Sequence, residues 1–342
     1  MKLSIIVPVY NVEPWLERCL RSLMEQDIPK DEYEIIVVND GSPDNSLDIV
    51  IKLQKEAANI ILIDQKNQGV SVARNNGIKK ASGEYLLFID SDDFVKKNSL
   101  SEILRQTQVN NLDVLHLNQA TVAHDDTIIS QHDFSSKINQ VFSGPEMYAI
   151  TREYFQIGDS SVAIIFKRTL FIQNKIYYPA DVPFLEDGIL GGKILLVAKK
   201  CSFCNDDFYF RTIRPGSATN SNLFSRNNAQ QGFIKAAIDF REFATRFTLI
   251  KELQGLRNHV IAKYVVTSVM SAIVSKKRSN LIKMNTLLKT NGFRRLNPEG
   301  LYANKRYVWF YNISFWLFAV YYVIETRLKV MNGILNNKKK GE

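Results

Sequence analysis

The sequence predicts an α/β domain with a mainly parallel central sheet flanked by helices, followed by a basic helical C-terminal region. Three observations lead to this prediction. Short apolar runs alternate with segments of helical periodicity over roughly residues 1–90, which is typical of strand–helix–strand units and a parallel sheet. Several of the predicted strands end in polar clusters. Beyond about residue 225 the chain becomes helical and basic, and we expect the domain boundary at 222–223.

The first predicted strands are short, apolar and rich in β-branched residues. Apolar side chains at helical spacing, such as Leu16, Leu20 and Leu23, lie between them. Ser46 is the expected N-cap of the second helix. Strands are predicted in 3–11, 33–46 (where the strand runs into a turn), 59–65 and 85–90, and helices in 13–26, 46–57 and 69–81.

The middle of the chain is less regular in its pattern. A loop, an acidic turn and a helix are expected within 177–200. Strands are expected in 113–123, in 161–171 with a short helix after it, and in 203–222 with a polar continuation.

Composition excludes several classes of protein. With 45% hydrophobic and 23% charged residues, the chain is not a disordered one. The three cysteines, Cys19, Cys201 and Cys204, argue against a disulfide framework and fit a reducing compartment. Cys201 and Cys204 form a lone CxxC, which we interpret as core residues rather than a zinc or redox site. The N-terminus lacks the features of a signal peptide, so a cytoplasmic location is expected.

The net charge of +9 belongs to the C-terminal third of the chain. Residues 231–342 hold 20 Lys and Arg against 6 Asp and Glu, whereas residues 1–230 hold 24 against 29. Such an asymmetry predicts a polyanionic partner for the C-terminal region, either nucleic acid or an anionic membrane surface.

The most apolar segment of the chain is 306–330. Its apolar part spans 16 residues from Trp309 to Ile324, which is short of the roughly 20 residues that cross a bilayer. It is crowded with aromatic side chains and flanked by positive charge. This combination predicts a helix at the membrane interface, peripheral on the inner face of the cell membrane. Packing against the first domain, or against a second copy in a homodimer, is the alternative.

Polar residues follow three of the predicted strands, at Tyr10–Asn11, Asn39–Asp40 and Asp90–Asp93. Because ligands in open α/β sheets bind beyond the carboxyl ends of the strands, we expect these clusters to line one crevice. Residues two apart in a strand share a face and lie about 6–7 Å apart, so we expect Asp90 and Asp92 to flank one ligand. A hard cation such as Mg²⁺ or Mn²⁺ would suit them, since it takes one or two carboxylates plus phosphate oxygens. A solvated acidic turn is the alternative.

Four segments of the chain resemble the motifs of the family 2 glycosyltransferases, which have the GT-A fold. They are SIIVPVYN, VVNDGSPDNS, NQGVSVARNNGIKKASGEYLLFIDSDD and FLEDG, in the order and approximate spacing of that family. The resemblance is close over 3–94 and looser to about 220. It implies transfer of a sugar from a nucleotide-diphosphate donor, usually with inversion at the anomeric carbon. It also implies a saccharide or lipid-linked saccharide acceptor, as in surface polysaccharide synthesis.

The resemblance implies a donor-binding set of residues. Asp40 matches the acid that accepts a hydrogen bond from the uracil imide, which favours a UDP-sugar; an Asx turn before Gly41 is the alternative. Arg74 offers a planar cation to phosphates or carboxylates, or orients the acidic strand end through a salt bridge. Arg211 and Arg214 are expected to close on the pyrophosphate; a solvated basic loop is the alternative. The whole set is Pro8, Val9, Tyr10, Asn11, Asp40, Gly69, Arg74, Asn75, Asp90, Ser91, Arg211 and Arg214.

The resemblance also implies a metal site and a catalytic pair. Asp92 matches the more direct ligand of Mn²⁺ or Mg²⁺, and Asp90 completes that site. Asp187 matches the general base, and Glu186 the residue that contacts or orients the acceptor. The alternative for this pair is a helix N-terminus beginning near Ile189, where carboxylates are favoured by the helix dipole.

Two other functions compete with this one. A nucleic-acid-binding protein would use the basic C-terminal region, but it would not explain the acidic crevice, so no nucleic-acid partner is expected. A non-catalytic donor-binding relative is disfavoured because both Asp92 and Asp187 are present. The four histidines show no ligand spacing and are assigned no role.

Overall fold

The computed structural model describes residues 1–123, 125–157, 159–182, 185–213, 227–248, 250–301 and 305–338, with side chains described as far as 329. The chain divides into two compact units. Unit 1 comprises Met1–Ala180 and Leu185–Asn220, and unit 2 comprises Asp181–Phe184 and Ser221–Glu342. The domain boundary expected at 222–223 falls outside the described ranges and stays a prediction.

Unit 1 contains a nine-stranded sheet in the order β3-β2-β1-β4-β8-β6-β9-β5, with β7 paired to β6. Its strands are β1 (Leu3–Val9), β2 (Tyr33–Asp40), β3 (Ile60–Gln65), β4 (Tyr85–Phe88), β5 (Phe94–Val95), β6 (Val114–Val122), β7 (Ile128–Gln131), β8 (Ile164–Lys167) and β9 (Cys201–Thr212). Its helices are α1 (Glu13–Met24), α2 (Ser46–Glu56), α3 (Val70–Lys80), α4 (Leu100–Val109), α5 (Gly144–Ala149), α6 (Arg168–Asn174) and α7 (Glu186–Val197).

The parallel part of the sheet is formed by β3, β2, β1 and β4, as the alternating sequence pattern predicts. Every residue of β1 and β2 is buried, which is usual for parallel strands covered by helices on both faces. In the register, Val9 pairs with Asn39 and Ile6 with Phe88. The carboxyl ends of β2, β1 and β4 therefore lie side by side. Beyond β4 the sheet becomes mixed, because β8 runs antiparallel to both β4 and β6.

Helix α3 packs very closely on β1. A Cβ atom added to Gly77 would lie 2.4 Å from Ile6 Cγ2, so this position requires glycine. The close packing fixes the helix that carries Arg74 against the strand that leads to Tyr10.

Two local expectations from the sequence are wrong. Asn45, not Ser46, is the N-cap of α2, and the Ser46 hydroxyl instead accepts a hydrogen bond from the Val12 backbone N–H at 3.3 Å. The chain does not continue as a strand through Asp90–Asp93. It forms a turn there, closed by the Asp93 N–H on the Asp90 carbonyl at 3.0 Å, so the strand-based spacing of Asp90 and Asp92 does not apply.

Unit 2 is helical, as expected from its sequence. Its helices are α8 (Asn227–Ala244), α9 (Lys251–Val274), α10 (Arg278–Thr290), α11 (Lys305–Ile313) and α12 (Phe315–Lys338).

The expectation of one helix over 306–330 is wrong, because α11 and α12 form a hairpin. The break falls at Ser314, whose hydroxyl accepts hydrogen bonds from the N–H groups of Trp316 at 3.2 Å and Leu317 at 3.5 Å. Serine is a good N-cap, so it favours a new helix at this point. The rings of Phe310 and Tyr321 stack across the hairpin with centroids 4.0 Å apart. Among the described helices, none has the length and apolar character needed to cross a bilayer.

The three cysteines are buried and free, which confirms the interpretation of Cys201 and Cys204 as core residues.

Candidate active site

The polar residues that follow β1, β2 and β4 share one edge of the sheet, as the sequence predicts. Tyr10 is 50% exposed immediately after β1. Asn11 adopts a left-handed backbone conformation with φ of 54°, and its N–H approaches the Ser42 hydroxyl at 3.3 Å. Tyr10 therefore offers an accessible aromatic ring at the rim of the crevice, where the nucleotide base is expected.

Asp40 ties the end of β2 to the start of α3. Its Oδ1 accepts hydrogen bonds from Gln65 Nε2 and the Gln68 backbone N–H, both at 2.8 Å, and its Oδ2 accepts from the Gly69 N–H at 2.8 Å. The Asx-type contact with Ser42 N–H is made by Asn39 Oδ1 at 3.3 Å, not by Asp40. Asp40 is thus a buried carboxylate that shapes the loop between β3 and α3.

Gly69 is the N-cap of α3 and has a φ of 89°, a conformation that favours glycine. A Cβ atom added to it would meet no atom within 4 Å. The space beside Gly69 is therefore open, which is what close approach of a ligand to this backbone requires.

Arg74 connects the acidic turn to the Glu-Asp pair. Its side chain is only 5% exposed. Its Nη2 donates to Asp90 Oδ1 at 2.9 Å, and its Nη1 donates to Glu186 Oε1 at 3.0 Å and Asp187 Oδ1 at 3.2 Å. The guanidinium carbon also lies 5.1 Å from the centre of the Tyr178 ring. One buried cation therefore holds together carboxylates that are more than 90 residues apart in sequence.

Glu186 and Asp187 form the first turn of α7, which begins three residues earlier than expected. The preceding Leu185 has a φ of 61°, an uncommon conformation for a residue with a branched side chain. Asp187 Oδ1 also accepts a hydrogen bond from the buried Ser161 hydroxyl at 2.6 Å. Both carboxylates contact Arg74, so a favourable interaction with the helix dipole does not by itself explain their position.

The environment raises the proton affinity of this pair. Burial, followed by the charge of Asp187, raises the pKa of Glu186 to about 7. Burial also raises the pKa of Asp187, although Arg74 and the Ser161 hydroxyl oppose the shift. Burial disfavours the charge on Arg74, but Asp187 and the other carboxylates outweigh it, and the pKa of Arg74 rises. A carboxyl group that titrates near neutral pH is well suited to exchanging a proton with a substrate.

Asp93 supports the acidic turn from inside the protein. It is buried, accepts a hydrogen bond from the Tyr209 hydroxyl, and accepts a second from the Thr212 N–H at 2.8 Å. Burial, then the charges of Asp90 and Asp92, raises the pKa of Asp93 to about 8. These contacts join the turn to the end of β9.

Three supporting residues could not be found from the sequence. No sequence motif singles out Ser161, Tyr178 or Tyr209, and their roles depend on contacts with residues far along the chain.

Several predicted donor-binding residues have other environments. Pro8 and Val9 are buried within β1, and their part in donor binding stays a prediction. The side-chain amide of Asn75 donates to the Tyr178 carbonyl and accepts from the Tyr178 N–H, both at 2.8 Å. Asn75 therefore positions Tyr178, and a direct donor contact from it stays a prediction. Ser91 is buried, Arg211 is exposed near the end of β9, and Arg214 lies outside the described residues.

The acidic turn offers hard oxygen ligands for a divalent cation. Asp90 is 39% exposed while it contacts Arg74, and Asp92 is half-buried next to it. Over the described part of the chain there is no group of three or more His, Cys, Asp or Glu arranged to hold a metal ion. Carboxylate oxygens are the donor type that Mg²⁺ prefers, and Mg²⁺ commonly takes one or two protein carboxylates together with phosphate oxygens and water.

The sequence matches known proteins over the part that forms this site. Residues 4–172 match the family model for glycosyl transferase family 2. The chain is 34% identical over 220 residues to a poly(ribitol-phosphate) beta-glucosyltransferase of Bacillus spizizenii, covering 63% of this chain and 33% of that protein. It is 30% identical over 225 residues to glycosyltransferase GlyG of Streptococcus pneumoniae serotype 4, covering 63% of this chain and 72% of that protein. The chain thus spans a third of the first relative and nearly three quarters of the second.

A solved structure shows the same fold. The complex of S. aureus TarS 1–349 with UDP-GlcNAc superimposes with a TM-score of 0.72 at 22% sequence identity, covering 95% of this chain and 92% of that chain. The similarity confirms a GT-A-like α/β fold followed by a helical region.

Proposed function

The chain belongs to glycosyltransferase family 2, and from that premise we propose that it transfers a sugar from a UDP-sugar to a hydroxyl group of a saccharide acceptor. The observation that carries the proposal is Arg74, which joins Asp90 of the acidic turn to Glu186 and Asp187. In the proposed reaction Asp90 serves the donor and the Glu186–Asp187 pair serves the acceptor, so Arg74 would connect the two substrates' contacts. Such an arrangement suits transfer between two bound substrates better than binding of one.

In the proposed reaction, Asp187 accepts the proton of the acceptor hydroxyl as its oxygen attacks the anomeric carbon. Ser161 and Arg74 fix the orientation of the Asp187 carboxylate, and Glu186 beside it contacts the acceptor. One attack by the acceptor displaces the nucleoside diphosphate, so we expect inversion at the anomeric carbon.

Asp92 and Asp90 would hold Mn²⁺ or Mg²⁺ together with the donor diphosphate. A bound cation supplies positive charge that stabilises the diphosphate as it leaves. Tyr10, the loop shaped by Asp40 and the open space at Gly69 would receive the nucleoside, and Arg211 and Arg214 remain proposed contacts to the pyrophosphate.

We propose a polymeric or lipid-linked saccharide acceptor used in surface polysaccharide synthesis. The support is that one relative is named for action on poly(ribitol-phosphate). The proposed location is cytoplasmic, peripheral on the inner face of the cell membrane. Its support is the excess of positive charge after residue 230.

A thermal-shift screen tests the donor class. We expect UDP and UDP-sugars, in the presence of Mn²⁺, to raise the unfolding temperature more than GDP or ADP derivatives do. A ligand present at 100 times its Kd adds about 2.7 kcal/mol to the free energy of unfolding, which is readily measured. No shift with any nucleotide, with or without Mn²⁺, would contradict the proposal.

Asp92→Ala tests the proposed metal site. We expect this variant to lose the part of the UDP-induced shift that depends on Mn²⁺, because a main ligand of the cation is removed. Asp31→Ala is the matched control, since Asp31 is exposed and precedes β2, at the opposite end of the strand from Asp40. If Asp92→Ala and Asp31→Ala kept the same Mn²⁺-dependent shift as the parent, Asp92 would not be a ligand.

A further inference from the structure

The hairpin of α11 and α12 has one face turned into unit 2 and one face turned outward. Tyr307, Val308, Tyr311 and Phe318 are buried on the inner face. The Tyr311 hydroxyl donates to the Phe293 carbonyl at 2.5 Å, which ties α11 to the preceding segment. The hairpin is therefore held in place by its own unit, and its outward face is a fixed surface.

The outward face is apolar to an unusual extent. Six of its side chains are between 44% and 60% exposed: Trp309, Ile313, Trp316, Val320, Ile324 and Leu328. On α12 the residues Leu317, Val320, Ile324 and Leu328 follow helical spacing and form one stripe. We call these exposed residues of α11 and α12 the hairpin face. Exposed apolar side chains clustered on one structural element commonly mark an interaction site.

The hairpin face is bordered by positive charge. Lys305, Arg306, Arg327 and Lys329 are all exposed. Between residues 305 and 329 the only acidic residue in the sequence is Glu325. Glu325 is 12% exposed, and its carboxylate contacts Arg306, Lys329 Nζ at 3.2 Å and the Tyr307 hydroxyl at 2.7 Å. The border therefore presents net positive charge outward.

A groove opens at one end of the hairpin face. It is lined by Arg295, Lys305, Arg306, Trp309, Asn312 and Ile313. Three cationic side chains thus converge beside an exposed indole ring. This chemistry suits a phosphate group attached to an apolar chain, which is the arrangement that a phospholipid presents at a membrane surface.

We propose that the hairpin face docks on an anionic phospholipid bilayer, with a lipid phosphate seated in the groove. The apolar stripe enters the headgroup region while the basic border contacts the surface charge, the two signals that stable peripheral binding requires. Exposed tryptophans are favoured at that depth. The inference does not depend on the transferase reaction, because docking needs neither donor nor acceptor.

The test uses the full chain and vesicles of phosphatidylcholine with or without phosphatidylglycerol, measured by cosedimentation. We expect binding to the anionic vesicles, weakened by salt, with a blue shift of tryptophan emission. Ile324→Ser should reduce the partition coefficient about tenfold. Its matched control is Ile282→Ser, since Ile282 is 49% exposed on α10, outside the hairpin.

A second pair of variants tests the charge. Lys305→Glu should reduce the partition coefficient about tenfold or more, whereas Lys283→Glu, which makes the same charge change at an exposed site on α10, should have a smaller effect. The hairpin variants should melt at the parent temperature, because both side chains are exposed.

Three outcomes would overturn the proposal. One is equal binding of the parent chain to neutral and anionic vesicles. Another is a loss of vesicle binding in the α10 variants as large as that in the hairpin variants. The third is a homodimer in light scattering that Ile324→Ser dissociates, combined with no vesicle binding, since the hairpin face would then be an interface between two copies of the chain.

Discussion

Asp187→Asn is expected to lower the transfer rate by about three orders of magnitude, within the range of general-base catalysis, while leaving the affinity for the UDP-sugar nearly unchanged. The asparagine amide keeps an oxygen that can accept from Ser161 and Arg74, so the geometry of the crevice should survive. It cannot take the proton of the acceptor hydroxyl. Steady-state kinetics together with calorimetric donor binding separate these two effects.

The neighbouring Glu186→Gln variant is the comparison for this result. If Glu186 only contacts the acceptor, its loss should raise the KM for the acceptor more than it lowers kcat. The base must be unprotonated to act, and burial raises the pKa values of both carboxyl groups. Because burial raises the pKa of Asp187, the parent rate should fall on acidification at a higher pH than for an ordinary aspartate. A parent-like transfer rate in Asp187→Asn would remove Asp187 from the role of base.

Arg74→Gln is expected to cost about 3–5 kcal/mol of the free energy of unfolding, since removing one partner of a buried ion pair leaves charges without compensation. For a unit of this size the unfolding temperature should fall by about 10 °C. Asp90, Glu186 and Asp187 would all lose their shared cation, and transfer should be lost as well. Thermal melts of the purified variant measure the stability loss directly.

The stability lost in Arg74→Gln should depend on pH. The pKa of Glu186 is raised in the folded state from 4.5 to about 7. Its contribution to stability is therefore greatest below 4.5 and is lost as the pH rises through 7. In the parent, Arg74 lowers the pKa of Glu186 and so opposes the effect of burial. This interaction is absent from Arg74→Gln, so the difference in unfolding free energy between variant and parent should increase from pH 5 to pH 8.

Arg105→Gln is the matched control for this prediction. Arg105 pairs with Glu102 at 2.6 Å, but both side chains are largely exposed, and exposed pairs contribute little to stability. Its unfolding temperature should stay close to that of the parent. If Arg74→Gln melted like Arg105→Gln at pH 8, the buried network would contribute no more to stability than an exposed ion pair does.

The sequence predicted those features of the fold that depend on local pattern. The apolar runs of β1, β2 and β4 are long enough and bounded clearly enough to indicate strands, and their order along the chain indicates a parallel sheet. Because the carboxyl ends of parallel strands lie at one edge of a sheet, the placement of Tyr10, Asp40 and Asp90 at that edge could be predicted from the sequence.

Features that depend on competing local bonds were harder to predict. Ser46 has the chemistry of an N-cap, but its hydroxyl bonds to Val12 instead. The strand-like spacing of Asp90 and Asp92 gave way to a turn, because the Asp93 N–H finds the Asp90 carbonyl. The apolar segment 306–330 has no glycine or proline to mark a break, so only the cap formed by Ser314 separates α11 from α12.

The support for the site depends on tertiary contacts. Arg74 was expected to contact either phosphates or the acidic strand end, and the structure shows its contacts with carboxylates from two segments. Tyr209 and Ser161 hold Asp93 and Asp187 from strands and loops far away in sequence. Single serine or tyrosine residues have no sequence signal for such roles.

The proposed transfer of a sugar from a UDP-sugar can be measured directly. The most direct measurement is the release of UDP from a panel of UDP-sugars by the purified chain with Mn²⁺, with EDTA and with Asp187→Asn as comparisons. We expect UDP release from at least one donor, stimulated by a saccharide acceptor, reduced by EDTA and lost in Asp187→Asn. A folded parent chain that binds no UDP-sugar and releases no UDP from any of them would contradict the proposed reaction.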